Sequence, residues 1–207
     1  MTRFLFGLLV CWTVSFALGM TAAQAGEPET PSMLVDGLVH DAVARLSVKG
    51  LSRTDREQAV HGLITRYSDE ETLASHVLGR SWATASPEER SRFEDRFGAY
   101  MVALCATMLK DVPADIKFVV KGEEAQGDQV VVHSAFVETG GDVTPVDWSV
   151  AHAGDGHLFL TDVAAEGVSM IRTMSSDFRA VLFANGGRIA ALVAAMNQKI
   201  SLAAASE

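Results

Sequence analysis

Residues 77–109 read VLGRSWATASPEERSRFEDRFGAYMVALCATML and predict one long amphipathic helix. Ser86 is a favourable N-cap, Pro87 suits the first helical position, and Glu89 completes a capping box. After them, large apolar side chains recur at spacings of three and four and form one broad stripe. The stripe consists of Phe93, Phe97, Tyr100, Met101, Leu104 and Met108. It must be buried, either in an ordinary core or partly against an apolar ligand.

Three shorter helical segments precede this helix. Residues 31–48 carry apolar side chains on one shared face, and Gly50 ends the pattern. Thr54 and Ser68 each begin a capping-box pattern, which predicts two further helices, the second closed by Gly79. The shared face of the first segment contains Leu34, Leu38, Val39, Ala42, Val43 and Leu46. The first part of the chain is therefore a run of helices.

Alternation of apolar and polar side chains follows the long helix and predicts strands. The alternating segments are 116–121, 129–138, 146–150 and 158–163. Short separators rich in Gly and Asp join them, as in hairpins. Helical periodicity then returns, with Ser176 as the expected N-cap of one helix and a last helix from Ile189. The predicted fold is α+β: N-terminal helices, a four-stranded antiparallel sheet and C-terminal helices, with helices on one face of the sheet.

Composition and charge narrow the class of protein. The chain has 207 residues, of which 48% are hydrophobic and 21% charged, as expected of a globular domain with a substantial core. The formal net charge of −9 argues against nucleic acid as a partner. It also argues against simple electrostatic docking of the whole protein on an anionic membrane.

The beginning of the chain has the features of an export signal. Arg3 precedes an apolar run over residues 4–18, and Ala23-Gln24-Ala25 is a small-x-small cleavage site. A retained anchor is the alternative, but the run is shorter than the roughly 20 residues that a spanning helix needs. We therefore expect residues 1–25 to be a cleaved signal peptide and residues 26–207 to form a single exported domain.

No catalytic or metal-binding constellation is evident in the sequence. The histidines form no HExxH pattern, and three of them on neighbouring strands, without nearby cysteines, are weak support for a metal. These three are His133, His152 and His157. Asp162 and Glu166 could form a carboxylate pair, but the adjacent Gly167 favours a turn. We predict no catalytic residue, no metal and no cofactor, which argues against a hydrolase.

Cys105 is the one cysteine that follows the expected cleavage site, so it cannot form an internal disulfide in the exported chain. It lies in the long helix, four residues after Met101. No base is near it in the sequence. We therefore predict that Cys105 is a small buried apolar residue and not a nucleophile.

Several short segments, in consistent order, are similar to one known family. They are 77–80 with Trp82; 85–90 with Phe93 and Phe97; Asp162-Val163 with 166–169; and Phe178 with Gly186-Gly187. With the predicted signal peptide before them, the chain resembles the periplasmic lipid-binding component of the Mla phospholipid-transport pathway, also called the toluene-tolerance auxiliary family. The resemblance covers roughly residues 77–200.

Some positions depart from the family pattern. Ser81 stands where the family usually has Tyr, Leu158 where it has Trp, and Met174-Ser175 where it has Tyr-Arg. The Gly-Val-Ser-Met sequence at 167–170 and the Gly-Gly break look more like the branch associated with hopanoid biosynthesis. The resemblance therefore leaves two cargoes open, a phospholipid and a rigid polycyclic hopanoid.

The resemblance implies a soluble periplasmic carrier that shuttles lipid between an inner-membrane ABC-type transport complex and an outer-membrane lipoprotein complex. Such transport would maintain the lipid asymmetry of the outer membrane and would involve transient membrane contact. Lipid tails would then occupy an apolar cavity between the helices and the sheet. The expected lining residues are Trp82, Phe93, Phe97, Tyr100, Met101, Leu104, Phe136, Trp148, Val168, Phe178 and Leu182. A cargo-free exported adaptor is the alternative, and a solid core would favour it.

Overall fold

The computed structural model describes residues 30–205. The predicted signal peptide lies outside these residues. The helices are α1 (Pro31–Leu46), α2 (Arg53–Tyr67), α3 (Glu70–Leu78), α4 (Arg80–Thr84), α5 (Pro87–Met108), α6 (Met170–Ala184) and α7 (Ile189–Ala205). The strands are β1 (Lys117–Gln126), β2 (Gln129–Val137), β3 (Val143–His152), β4 (Leu158–Ala165) and β5 (Val168–Ser169). The predicted α+β class is therefore confirmed.

The long helix α5 begins as its sequence predicts. The Ser86 side chain accepts a hydrogen bond from the Glu89 N–H, and the Glu89 carboxylate accepts one from the Ser86 N–H at 3.0 Å. Pro87 occupies the first turn of the helix, where a backbone N–H would have no hydrogen-bond acceptor within the helix. This reciprocal cap fixes where the apolar stripe begins.

The predicted N-caps of three other helices are wrong, by two residues, one residue and seven residues. The N-cap of α2 is Ser52 and not Thr54, and that of α3 is Asp69 and not Ser68. The helix predicted from Ser176 begins at Met170, capped by Ser169. In each case several oxygen-bearing side chains lie close together in the sequence, and only the tertiary path of the chain decides which of them caps the helix.

The sheet is an antiparallel meander in the order β1-β2-β3-β4-β5. It has five strands and not the predicted four, because residues 168–169 pair with the end of β4. Glu166 and Gly167 form the two-residue turn between these strands, with φ of 50° and 79°. Positive φ at both positions is the geometry of a tight hairpin, so the predicted turn role of this segment is confirmed.

The helices cover one face of the sheet and form two cores. One core lies mainly among α3, α5, α6 and α7. The other joins α1 and α2 to the inner side chains of β2, β3 and β4. Within residues 30–205, no helix combines the length and apolarity needed to cross a membrane. The space between the helices of this second core and the sheet is not completely filled.

Candidate functional site: an apolar cavity between helices and sheet

A cavity of about 590 Å³ lies between the helices and the inner face of the sheet. Its volume falls within the roughly 300–1,000 Å³ of small-molecule binding sites. From α1 and α2 it is lined by Leu38, Val39, Ala42, Val43, Val60, Leu63, Ile64 and Tyr67. From α5 and the loop after it, it is lined by Met101, Cys105, Met108, Leu109, Asp111, Val112, Pro113 and Ile116. From the sheet it is lined by Phe136, Thr144, Val146, Trp148, Leu160, Thr161, Asp162, Val163 and Ala165.

Two polar side chains of the wall, those of Tyr67 and Thr161, already have hydrogen-bond partners within the protein. Tyr67 donates its hydroxyl to Asp41 at 2.9 Å, and burial is the main cause that raises the pKa of this phenol. Thr161 donates to the Ser149 carbonyl at 3.1 Å. Among the described lining residues none is Lys, Arg or His. The wall thus favours an apolar occupant and contains no cation to hold an anionic one.

An aromatic group forms the sheet side of the cavity. The rings of Phe136 and Trp148 pack edge to face at 6.5 Å, and Phe118 packs on both. The Trp148 indole N–H donates to Ser134 Oγ at 2.8 Å, and this hydroxyl donates to the Val146 carbonyl at 2.7 Å. The indole N–H is therefore satisfied inside the sheet, and the ring can present an apolar surface to the cavity.

The cavity opens at one end of the sheet, which we call the mouth. Its exposed lining residues there are Met108, Leu109, Asp111, Pro113 and Ala165. Two neighbouring apolar side chains are also exposed: Val143 next to Thr144, and Val168, which pairs with Ala165. The mouth is therefore mostly apolar, with Asp111 as the charged residue among its exposed lining residues, and an apolar molecule could enter along its apolar side.

Asp162 fixes one side of the mouth. Its carboxylate accepts hydrogen bonds from the Ile171 N–H at 3.0 Å and from Ser169 Oγ. Ser169 in turn caps α6 by accepting from the Arg172 N–H at 3.0 Å. These bonds join β4 to the start of α6, where Met170 and Ile171 line the cavity. The role of Asp162 here is structural.

Cys105 lies on the helical wall. Burial raises the pKa of its thiol to about 11. A thiol with this pKa is protonated at neutral pH and is a poor nucleophile. Cys105 therefore contributes a small, protonated thiol to the cavity wall.

Comparison with known proteins decides the family. The pattern of the MlaC protein family matches residues 37–198. The chain belongs to the MlaC family. The solved structure of a phospholipid-binding protein from Ralstonia solanacearum, in complex with a phospholipid, has the same fold with a TM-score of 0.73. The two sequences are 23% identical, and the match covers 83% of this chain and 97% of the Ralstonia solanacearum chain. No curated protein matches the sequence.

In this MlaC-family chain the structure brings three of the residues expected to bind lipid to the cavity wall. They are Met101, Phe136 and Trp148. The other eight do not line this cavity. Phe93, Phe97, Phe178 and Leu182 are buried in the core among α3, α5, α6 and α7, where Phe93 and Phe97 stack at 5.4 Å and Phe178 meets both edge to face.

The remaining four predicted residues lie around that helical core or on the surface. Tyr100 packs against Phe178 at 5.7 Å, and Leu104 packs against the same core. Trp82 lies under the Arg90 guanidinium, 5.3 Å from the ring centroid, and Val168 is 65% exposed on β5. The apolar stripe of α5 therefore has two different surroundings. Its first half packs on other helices, and only its second half reaches the cavity.

Sequence reasoning missed the lining residues that α1 and α2 supply. The signal was present for α1, because Leu38, Val39, Ala42 and Val43 share the apolar face of residues 31–48. Periodicity shows that such a face is buried, but it does not show what covers it.

Two of the three histidines on neighbouring strands, His133 and His157, have acidic partners within the protein. His133 pairs with Asp147 at 2.8 Å across β2 and β3, and His157 pairs with Asp155 at 2.6 Å. Across residues 30–205, no group of three or more His, Cys, Asp or Glu side chains is placed to hold a metal ion.

Proposed function

We propose that the chain is a periplasmic lipid carrier that binds lipid tails in the apolar cavity. The observation that carries this proposal is the cavity itself: about 590 Å³, apolar on nearly every wall, without cations among its described lining residues, and open at one end. A cargo-free adaptor would not need such a space. We infer a binding protein and not an enzyme, because the cavity presents shape and apolar surface and no reactive group.

The energetics of lipid transfer explain why such a cavity is useful. Each methylene hidden from water is worth about 0.8 kcal/mol, so an acyl chain cannot cross an aqueous compartment unshielded at a useful rate. A membrane removes the same acyl chain from water, so the lipid has a similar free energy there. The carrier therefore needs only comparable affinity, and the direction of transfer comes from its partners.

Phospholipid is the cargo that we propose first. The Ralstonia solanacearum protein of the same fold is described as phospholipid-binding and was solved with a phospholipid. A hopanoid carrier of the same fold is the alternative, based on the sequence at 167–170 and the Gly-Gly break.

The setting that we propose is the periplasm. Residues 1–25 would direct export and be removed, and residues 26–207 would act as one lipid-binding domain. The carrier would exchange lipid with an inner-membrane ABC-type complex and an outer-membrane lipoprotein complex, with transient membrane contact during transfer.

The decisive experiment is solvent extraction and mass spectrometry of lipid bound to the protein purified after export. Stoichiometric phospholipid is the expected result, and a hopanoid would identify the alternative cargo. Protein that carries no lipid and takes none up from vesicles would exclude the carrier.

A matched pair of variants tests the position of the site. Ala42→Trp adds a large side chain to the cavity wall, whereas Ala99→Trp adds it to an exposed position of α5. We expect the first variant to lose most bound lipid and the second to retain it, with both folded by circular dichroism. Equal lipid content in the two would place the cargo elsewhere.

A further inference from the structure

A second cleft, of about 930 Å³, lies where α3 and α4 face the end of α6. The cavity is lined by Met170 and Ile171 at the start of α6, whereas the cleft is lined by Leu182 and Phe183 near the end of this helix. At 1.5 Å per residue these positions are about 18 Å apart along the helix. The cleft is therefore separate from the lipid cavity.

The cleft is basic, although the protein as a whole is acidic. Its charged or titratable lining residues are His76, Arg80 and Arg179, and none of the described residues that line it is Asp or Glu. The formal net charge of the chain is −9, so this local excess of basic groups is opposite in sign to the average surface. All three side chains are exposed, and none makes a hydrogen bond or ion pair with another residue of the part that the structure describes.

The backbone keeps the cleft open between these side chains. Gly79 has φ of 53°, and Gly186 and Gly187 have φ of 64° and 78°. Positive φ favours glycine, so two stretches of the wall carry no side chain. Glycines 186 and 187 donate their N–H groups to the last turn of α6 and not to the cleft. The cleft thus combines exposed backbone at these glycines with exposed basic side chains.

We propose that this cleft binds a phosphate-class oxyanion. Two guanidinium groups supply planar pairs of donors that match phosphate oxygens, and the imidazole of His76 can add a third donor. A lipid headgroup and a soluble phosphate share this chemistry. Phe183, which is 91% exposed beside Arg179, favours the headgroup, because an exposed aromatic side chain next to basic ones suits the interface of an anionic bilayer. The site does not depend on the cargo of the cavity.

The first test uses inorganic phosphate and the protein purified after export. Backbone and arginine Nε–H NMR signals should shift at residues 76–81, 179 and 186–187, and not at the cavity wall. The double variant Arg80→Gln/Arg179→Gln should weaken this binding at least about tenfold, since each lost charged hydrogen bond is worth about that factor. Arg92→Gln, an exposed arginine of α5, is the matched control and should leave it unchanged.

The second test distinguishes a lipid headgroup from a soluble phosphate as the ligand of the cleft. Co-sedimentation compares vesicles containing phosphatidylglycerol with pure phosphatidylcholine vesicles at low and high salt. Preference for the anionic vesicles that is lost in both the double variant and Phe183→Ser supports a headgroup site. Phosphate binding without this preference supports a site for a soluble phosphate.

Two results would overturn the proposal. One is the absence of any shift in the cleft with phosphate together with equal attachment to both kinds of vesicle. The other is binding that the double variant and the Arg92→Gln control weaken to the same extent. If an acidic peptide such as polyglutamate shifts the cleft signals while phosphate and vesicles do not, the cleft is a protein-docking surface instead.

Discussion

The Trp148 indole N–H donates to Ser134 Oγ at 2.8 Å, across neighbouring strands on the inner face of the sheet. Ser134 is 2% exposed and Trp148 is 8% exposed. A hydroxyl in this apolar layer is tolerated because it receives the indole proton and gives its own to the Val146 carbonyl. The pair holds the largest ring of the cavity wall in one orientation.

Removal of this hydroxyl should destabilise the protein. Ser134→Ala leaves the buried indole N–H without its acceptor, and we expect a loss of about 1–3 kcal/mol in the free energy of unfolding. Urea unfolding monitored by tryptophan fluorescence measures it. Ser149→Ala, on the opposite face of β3, should change the free energy by less than about 0.5 kcal/mol. Equal effects of the two substitutions would show that the Ser134 hydroxyl has no special role.

Asp162 links the sheet to α6 at the mouth, and Asp162→Asn should loosen this link. The amide keeps the shape but loses the charge-assisted bonds to the Ile171 N–H and Ser169 Oγ, so we expect destabilisation by about 1–2 kcal/mol. Amide hydrogen exchange should accelerate first over residues 170–173. Glu166→Gln, in the nearby turn, is the control. Unchanged exchange at the start of α6 would contradict the role assigned to Asp162.

The sequence predicts the elements of this fold better than it predicts their partners. The capping box at Ser86 and the strand predicted from Val130, Val132 and Phe136 on one side depend on local chemistry, and both are present in the structure. Strand β5 was missed because two residues are too short to show alternation. It exists because the turn at Glu166-Gly167 returns the chain to β4.

The cavity illustrates the limit of such predictions. The stripe of α5 shows that Phe93 and Met101 are both buried, yet Phe93 packs among helices and Met101 faces the cavity. The difference depends on where α7 packs along α5 and where α1 packs on the sheet. These are contacts between residues far apart in the sequence. Periodicity has no information about it.

Cys105 should report on the state of the cavity. With a pKa of about 11, its thiolate fraction at pH 8 is about one part in a thousand, against about a quarter for an ordinary cysteine. We therefore expect alkylation by iodoacetamide to be about a hundredfold slower or more in the native protein than in urea. Peptide mass spectrometry follows the reaction at this residue. Added lipid should slow it further, and native reactivity equal to that in urea would contradict the buried position of the thiol.

The pairing of His133 with Asp147 should give the protein a pH-dependent increment of stability. These residues lie opposite each other on β2 and β3, on the sheet face away from the cavity. The hydrogen bond to Asp147 is the main cause that raises the pKa of His133, and Glu124, 3.4 Å from the other ring nitrogen, adds to it. Because the folded pKa is above the unfolded value of about 6.5, the increment is complete below about pH 6.5 and is lost as the pH rises through the folded pKa.

Thermal unfolding of the wild type and of His133→Gln from pH 5 to pH 9 measures this increment. The wild type should be the more stable at pH 5, with the difference decreasing above neutrality. The side chains of His133 and Asp147 are 40% and 43% exposed, so solvent screening limits the effect to about 0.2–1 kcal/mol, and high salt should reduce it. His61→Gln, at an exposed histidine of α2, is the control. If the wild type's advantage in stability over His133→Gln instead grows with pH, its pH dependence is opposite to the one that the raised pKa of His133 requires. This result would show that the ion pair does not stabilise the sheet.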